Sequence, residues 1–149
     1  MKLVASVAAV VLALAIAAPA VAQQPAPAPT LYKRLGGYDS MAAVTDDFLR
    51  RLTSDPSFAR FFSGHSTDSL KKIRQLIVDQ LCAATGGPCV YIGRDMKTSH
   101  AGLGITEKDW DTSVKHLTAT LDELNVPPKE KTEVLTAISG LKKDIVEKP

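Results

Sequence analysis

The chain is short of most residue types from which active sites are built. Its 149 residues include two cysteines, three histidines and one tryptophan, and aromatics make up only 5%. No C-x-x-C run occurs, so a cysteine-rich zinc site has no support. No G-x-S-x-G run occurs either, which removes the hydrolase nucleophile elbow. Neither sign of charge is in surplus, with 18 Lys and Arg against 16 Asp and Glu. That balance excludes a basic nucleic-acid footprint, and the pairs at 33–34 and 50–51 read as solvated helix faces. Between Tyr32 and Ile145 no alternating strand pattern of useful length is found. "VYI" at 90–92 is too short to count. No internal repeat is visible.

What is present begins with a leader-like segment. Lys2, the apolar run "LVASVAAVVLALAIAAPA" and the small residues "AVA" at 20–22 have the form of a secretory signal peptide over 1–22. An uncleaved spanning helix competes with this reading, since the run is about long enough. With no cysteine near the cleavage position, a lipoprotein anchor is not expected. Residues 23–30, "QQPAPAPT", form a Pro/Ala-rich linker. The remainder, 31–149, is expected to be one domain of modest size with a single core. Loss of Lys2 on cleavage removes one of the 18 basic residues and leaves the mature chain near +1. The expected location is periplasmic or otherwise exported, with no stable membrane insertion after cleavage.

The periodicity of that domain is helical nearly throughout. Asp39 or Ser40 can cap a helix with the stripe Met41, Val44, Phe48 and Leu52. Asp55-Pro56 reads as N-cap and first helical position of a short turn through Phe58, Phe61 and Phe62. Thr67 or Asp68 can cap the next helix, striped by Leu70, Ile73, Ile77 and Leu81 and stopped by Gly86-Gly87-Pro88. Thr106 and Asp109 form a capping box ahead of Trp110, Val114, Leu117, Leu121 and Leu124. After Pro127-Pro128 a last helix carries Val134, Ile138, Leu141 and Ile145. The expected fold class is all-α.

Cys82 and Cys89 can pair in an oxidising compartment, because the Gly-Gly-Pro between them allows the necessary reversal. Two free buried thiols are the other arrangement. Of the histidines, His65 lies in a polar loop, and His116, inside an apolar helix, reads as structural. His100 sits in the broken stretch "GGPCVYIGRDMKTSHAGLGIT" at 86–106. No second ligand stands three or four residues on, where Leu103 and Gly104 lie, so a zinc site is not built there. No C-x-x-C-H is present, which excludes covalent c-type haem attachment. Axial ligation of a non-covalent haem is one chemistry that a single histidine can serve.

Several segments in order resemble the truncated haemoglobins, most nearly their group I branch. "LYKRLGG" is similar to the family's opening, and "DPSFARFFSG" to the segment that carries an aromatic over the haem. "GGPCVYIGRDMKTSHAGLGIT" resembles the second glycine pair and the run placing the proximal histidine, and "VPPKEK" the turn between the last two helices. The resemblance implies a two-over-two helical sandwich around haem b, with His100 as the iron ligand. It implies that Phe62 packs on the haem, or Phe61 if the register is off by one, and that Met96 touches it. It places Tyr91 and Lys97 near the propionates. On the distal side, Leu49 stands where group I members typically have a tyrosine, and Ile73, Leu76 and Ile77 face the ligand. Gln75 would enter only with a register slip, and His65, Lys71 or Lys72 only by swinging inward.

The resemblance implies reversible binding of a diatomic gas, O2, CO or NO, at an apolar distal pocket, with an unidentified reductant. The protein is expected to be a monomer or weak dimer. A nitric oxide dioxygenase or peroxidase-like enzyme is an alternative, weakened by the lack of a polar distal group. A haem-free helical protein that binds a partner is the alternative from another class.

Overall fold

The computed structural model describes residues 27–148, so the leader-like segment 1–22 and the first part of the linker lie outside the described residues. Among the described residues eight α-helices and one short 3-10 turn follow in order. They are α1 (Leu31–Arg34), α2 (Tyr38–Ser54), the turn Pro56–Phe58, α3 (Ala59–Phe62), α4 (Thr67–Ala84), α5 (Met96–His100), α6 (Glu107–Glu123), α7 (Pro128–Ser139) and α8 (Lys142–Ile145). Among the described residues the only β pairing is an isolated parallel bridge between Thr106 and Lys148. None of the described helices is long and apolar enough to cross a membrane.

α2 is the central element, packed on α4 and on α6, while α6 carries α7. The resulting α2–α4 and α6–α7 layers form the expected two-over-two helical sandwich. The stripe along α2 serves both layers. Val44 joins Leu117 and Leu121 of α6 and Val134 of α7, and Met41 joins Val78 and Cys82 of α4. Leu35 and Leu81 pack against both groups and make the core continuous. Two buried threonines are satisfied inside it. Thr45 donates to the Met41 carbonyl at 2.9 Å, and Thr120 donates to Asp47 Oδ2 at 2.7 Å. Arg34 ties α1 to α7 through Glu130 at 2.6 Å and a bidentate pair with Glu133.

Three helix boundaries depart from the sequence reading. α2 starts at Tyr38 with Gly37 as its cap, ahead of the expected Asp39 or Ser40. Gly36 and Gly37, at φ +99° and +82°, turn the chain so tightly that the helix begins at once. α4 is capped by Ser66, whose hydroxyl oxygen accepts from Ser69 N–H at 3.2 Å, one residue before the expected Thr67. The last helix is broken. α7 ends at Ser139, and Leu141 N–H turns back three residues to Ile138 O at 2.9 Å, so Ile145 falls on the separate α8. Glycine at 140 removes the helical preference that would carry the ladder across. The Asp55 cap on Pro56 and the Thr106–Asp109 capping box form as the sequence predicts.

Candidate haem site

α4 has more apolar surface than α2 can cover. Val78, Leu81 and Cys82 face α2, whereas Ile73, Leu76 and Ile77 lie roughly 100–160° further round the helix and stay half-buried. Arg74 clips α4 onto α2 through Asp46, with bonds of 2.6 and 2.8 Å. Gln75 donates to the Tyr38 hydroxyl at 2.8 Å and to Asp79 at 2.9 Å, which holds it on the α2 side. The register slip that would bring Gln75 to the other face does not occur. Leu49 is half-buried on α2, one residue past the core-packed Phe48.

The turn after α2 supplies the aromatics. Phe58 is buried, with Phe61 tilted against it at 5.6 Å and the His116 ring edge-on at 6.0 Å. The Arg60 guanidinium lies 4.1 Å over the Phe61 ring and also pairs with Asp109 at 2.6 Å. Phe61 is thus engaged on the α6 side. Phe62 is in neither aromatic pair and is half-buried. His116 is structural as expected, its Nε2 lying 2.8 Å from Asp55 Oδ2. Asp55 is held down to about 2 by that histidine first, and then by the Ser57 hydroxyl and N–H.

A loop fixed at both ends leads from α4 to α5. Cys82 and Cys89 form a disulfide with Cα atoms 5.7 Å apart. Gly87 has no room for a side chain, since a Cβ there would lie 2.6 Å from the Tyr32 ring and 2.7 Å from Cys82 Sγ. Beyond it Tyr91 folds over Gly93 and donates its hydroxyl proton to the Arg94 carbonyl at 2.6 Å. Val90 and Ile92 are turned outward, 76% and 83% exposed. The segment 90–92 forms no strand, in keeping with its shortness in the sequence. The alternation of Val90 and Ile92 about Tyr91 was the available signal for their outward position. The Tyr91 hydroxyl is engaged with the Arg94 carbonyl here, and Arg94 and Lys97 are exposed cations on either side of the α5 cap.

α5 is one turn long. Asp95 caps it, its carboxylate accepting from Thr98 N–H at 2.7 Å and from the Thr98 hydroxyl at 3.0 Å, and those bonds hold it below the usual carboxylate range. His100 ends the turn, with Nδ1 2.8 Å from the Met96 carbonyl. A carbonyl only accepts, so Nδ1 carries the hydrogen and the lone pair of the neutral ring resides on Nε2. Met96, on the same short helix, is half-buried. His65 is exposed, and Lys71 reaches Asp68 at 3.5 Å. Neither shows an inward position as a ligand.

The residues fit a haem by their chemistry. One imidazole has its Nδ1 hydrogen fixed and its Nε2 lone pair available, α4 carries the half-buried aliphatics Ile73, Leu76 and Ile77, and the loop before α5 carries exposed Val90 and Ile92. No cluster of three or more His, Cys, Asp or Glu competes for a bare metal ion among the described residues. A separate, partly open cavity of about 170 Å³ lies in the core between Met41, Val44, Leu81, Leu121, Val134 and Ile138. None of the expected site residues lines it and no titratable side chain enters it, so the chemistry does not belong there.

The fold is a helical sandwich in which a one-turn helix presents one histidine, His100, with its Nδ1 bonded to the Met96 carbonyl. Residues 30–147 match the family model of the bacterial-like globins. A group 1 truncated haemoglobin of Mycolicibacterium paratuberculosis is 34% identical over 116 residues, covering 78% of this chain and 83% of that protein. The truncated haemoglobin of Tetrahymena pyriformis, solved in its Fe(III) form, superposes with a TM-score of 0.72 at 30% identity, over 79% of this chain and 98% of that one. A 2/2 haemoglobin from a Synechococcus species, solved with covalently attached haem, gives a TM-score of 0.72 at 27% identity, again over 79% and 98%. The chain belongs to the bacterial-like globin family, as a group I truncated haemoglobin.

Proposed function

We propose that the chain holds a non-covalent haem b through Nε2 of His100 and binds a diatomic gas reversibly on the opposite face. The observation that carries this is the Nδ1 to Met96 carbonyl bond, which orients the ring and reserves Nε2 for the iron. Held there by His100, haem would supply an iron able to take up a diatomic gas. Phe62, Met96, Ile73 and Ile77 exclude water from its faces, and Val90 and Ile92 cover its edge. Lys97 and Arg94 pair with the propionates.

Leu49, Ile73 and Ile77 carry no N–H or O–H, so the distal side gives no hydrogen bond to a ligand that draws negative charge. This favours the less polar diatomics over tight oxygen storage. It also weighs against nitric oxide dioxygenation and peroxidase-like turnover, which gain from a polar distal group. The haem-free, partner-binding alternative finds no support in the comparisons. The leader-like segment and the Cys82–Cys89 pair support work after export.

The test is an absorption spectrum of the haem-reconstituted chain in ferric, ferrous and CO-bound forms, for the natural sequence and for His100→Ala. A Soret band that shifts on reduction and on CO, and is lost or weakened in the variant, is expected. A band unaffected by His100→Ala overturns the axial assignment.

A further inference from the structure

His100 is the last residue of a one-turn helix, and the helix alone does little to hold it. α5 offers a single helical turn, and the chain beyond it runs through Gly102 and Gly104 at φ +82° and +64°. Such residues are conformationally free unless something binds their amides. Here something does. The Glu147 carboxylate accepts Gly102 N–H at 2.6 Å on Oε1 and Gly104 N–H on Oε2. The backbone around it runs alongside, with Glu147 N–H to Ile105 O at 2.9 Å, Lys148 N–H to the same oxygen at 3.2 Å and Glu107 N–H to Lys148 O at 3.2 Å. α8, which delivers this segment, packs directly on α5, and Lys142 of α8 pairs with Glu107.

We infer that Glu147 is a positioning residue for the axial histidine: its carboxylate bridges the amides of Gly102 and Gly104 and so fixes the segment that places His100 under the haem. The inference rests on the haem reading above and extends it to a residue outside the pocket. A carboxylate bonded to backbone N–H groups makes the stronger, charge-assisted kind of hydrogen bond. It also fills both amides of a loop that no helix continues. Partners that orient a ligating histidine typically change affinity for the bound group by 10–100-fold when removed.

The experiment compares the haem-loaded natural chain with Glu147→Ala, Glu147→Gln and Glu107→Gln. Three quantities are read: the rate of haem transfer to excess apomyoglobin, the iron–histidine stretching band of the ferrous protein, and amide exchange at Gly102 and Gly104. Glu147→Ala is expected to speed haem loss by about tenfold, to shift or broaden the stretching band, and to open both amides to exchange. Glu147→Gln, which keeps a neutral acceptor, is expected to fall between. Glu107→Gln weakens the neighbouring ion pair without touching the two glycine amides and is expected to leave the band in place. Faster amide exchange in Glu147→Ala with an unchanged band and unchanged haem loss makes Glu147 a mere loop latch and overturns the inference. Should the natural chain take up no stoichiometric haem, the haem reading falls and the inference with it. A natural chain that loads while Glu147→Ala behaves identically sinks the inference alone.

Discussion

At the scale of single residues, two aliphatic side chains and one carboxylate carry the sharpest consequences. On the proposed reading, replacing Leu49 by Tyr, or Ile77 by Gln, adds a donor beside the bound gas. One hydrogen bond to a ligand with negative character is worth about 1.5 kcal/mol, so oxygen release should slow by about tenfold while CO release changes less. Stopped-flow release rates for the two gases decide it, and no slowing in either variant means that the missing donor is not what sets the distal chemistry. Asp55 gives a pH signature. Its pKa is lowered from an ordinary 3.8 to about 2, so its stabilisation is complete above 3.8 and is lost as the pH falls through 2. Asp55→Asn keeps the capping side chain but removes the charge. Urea melts between pH 5 and 2 should show a lower starting stability and a shallower acid decline in that variant. The one-turn helix ending at His100 and the aromatic turn carrying Phe62 were legible in the sequence because both are set by the local order of residues. Glu147 was not, since its glycine partners stand 45 and 43 residues away and nothing local links them.

At the scale of elements, periodicity located the helices but could not fix their ends. Ser66, Thr67 and Asp68 are all able caps, and only the backbone's turn into α4 selects Ser66. Likewise an unbroken apolar stripe from Val134 to Ile145 hides the break at Gly140, because stripe residues remain on one side after a one-residue jog. The connection from α4 to α5 is the element that local pattern described least, and there the disulfide matters most. On the chain-entropy account, closing so short a loop contributes about 2–3 kcal/mol. Reduction, or the pair of changes Cys82→Ala and Cys89→Ala, should lower unfolding stability by that amount. It should also speed amide exchange in the 86–95 loop before it affects α6 or α7. Chemical denaturation with and without a thiol reductant, read together with exchange, provides the check. Equal stability in both states would mean that the packing of Gly87 against Tyr32 holds the loop unaided.

At the scale of the whole molecule, the two layers were legible because each helix carries a stripe, but α4 carries one that no neighbouring helix fully uses. An apolar side that stays half-buried costs the folded state part of the hydrophobic gain that complete burial would bring. On the proposed haem reading the same side chains gain it when a flat apolar group lies against them, so binding of the cofactor is expected to stabilise the fold. Anything that binds the native state alone stabilises it by about 2.7 kcal/mol when present at a hundred times its Kd. For a domain of this size that corresponds to a rise in Tm on the order of ten degrees. Stripping haem from the natural chain should therefore lower the melting temperature by that much, and restoring haem should return it. His100→Ala should lose most of the difference, because it removes the ligand bond while leaving the stripped protein's core intact. Differential scanning calorimetry on the loaded and stripped forms of both chains measures all four values. Equal melting temperatures for the loaded and stripped natural chain would mean that Ile73, Leu76 and Ile77 are not the seat of the cofactor, whatever the histidine does.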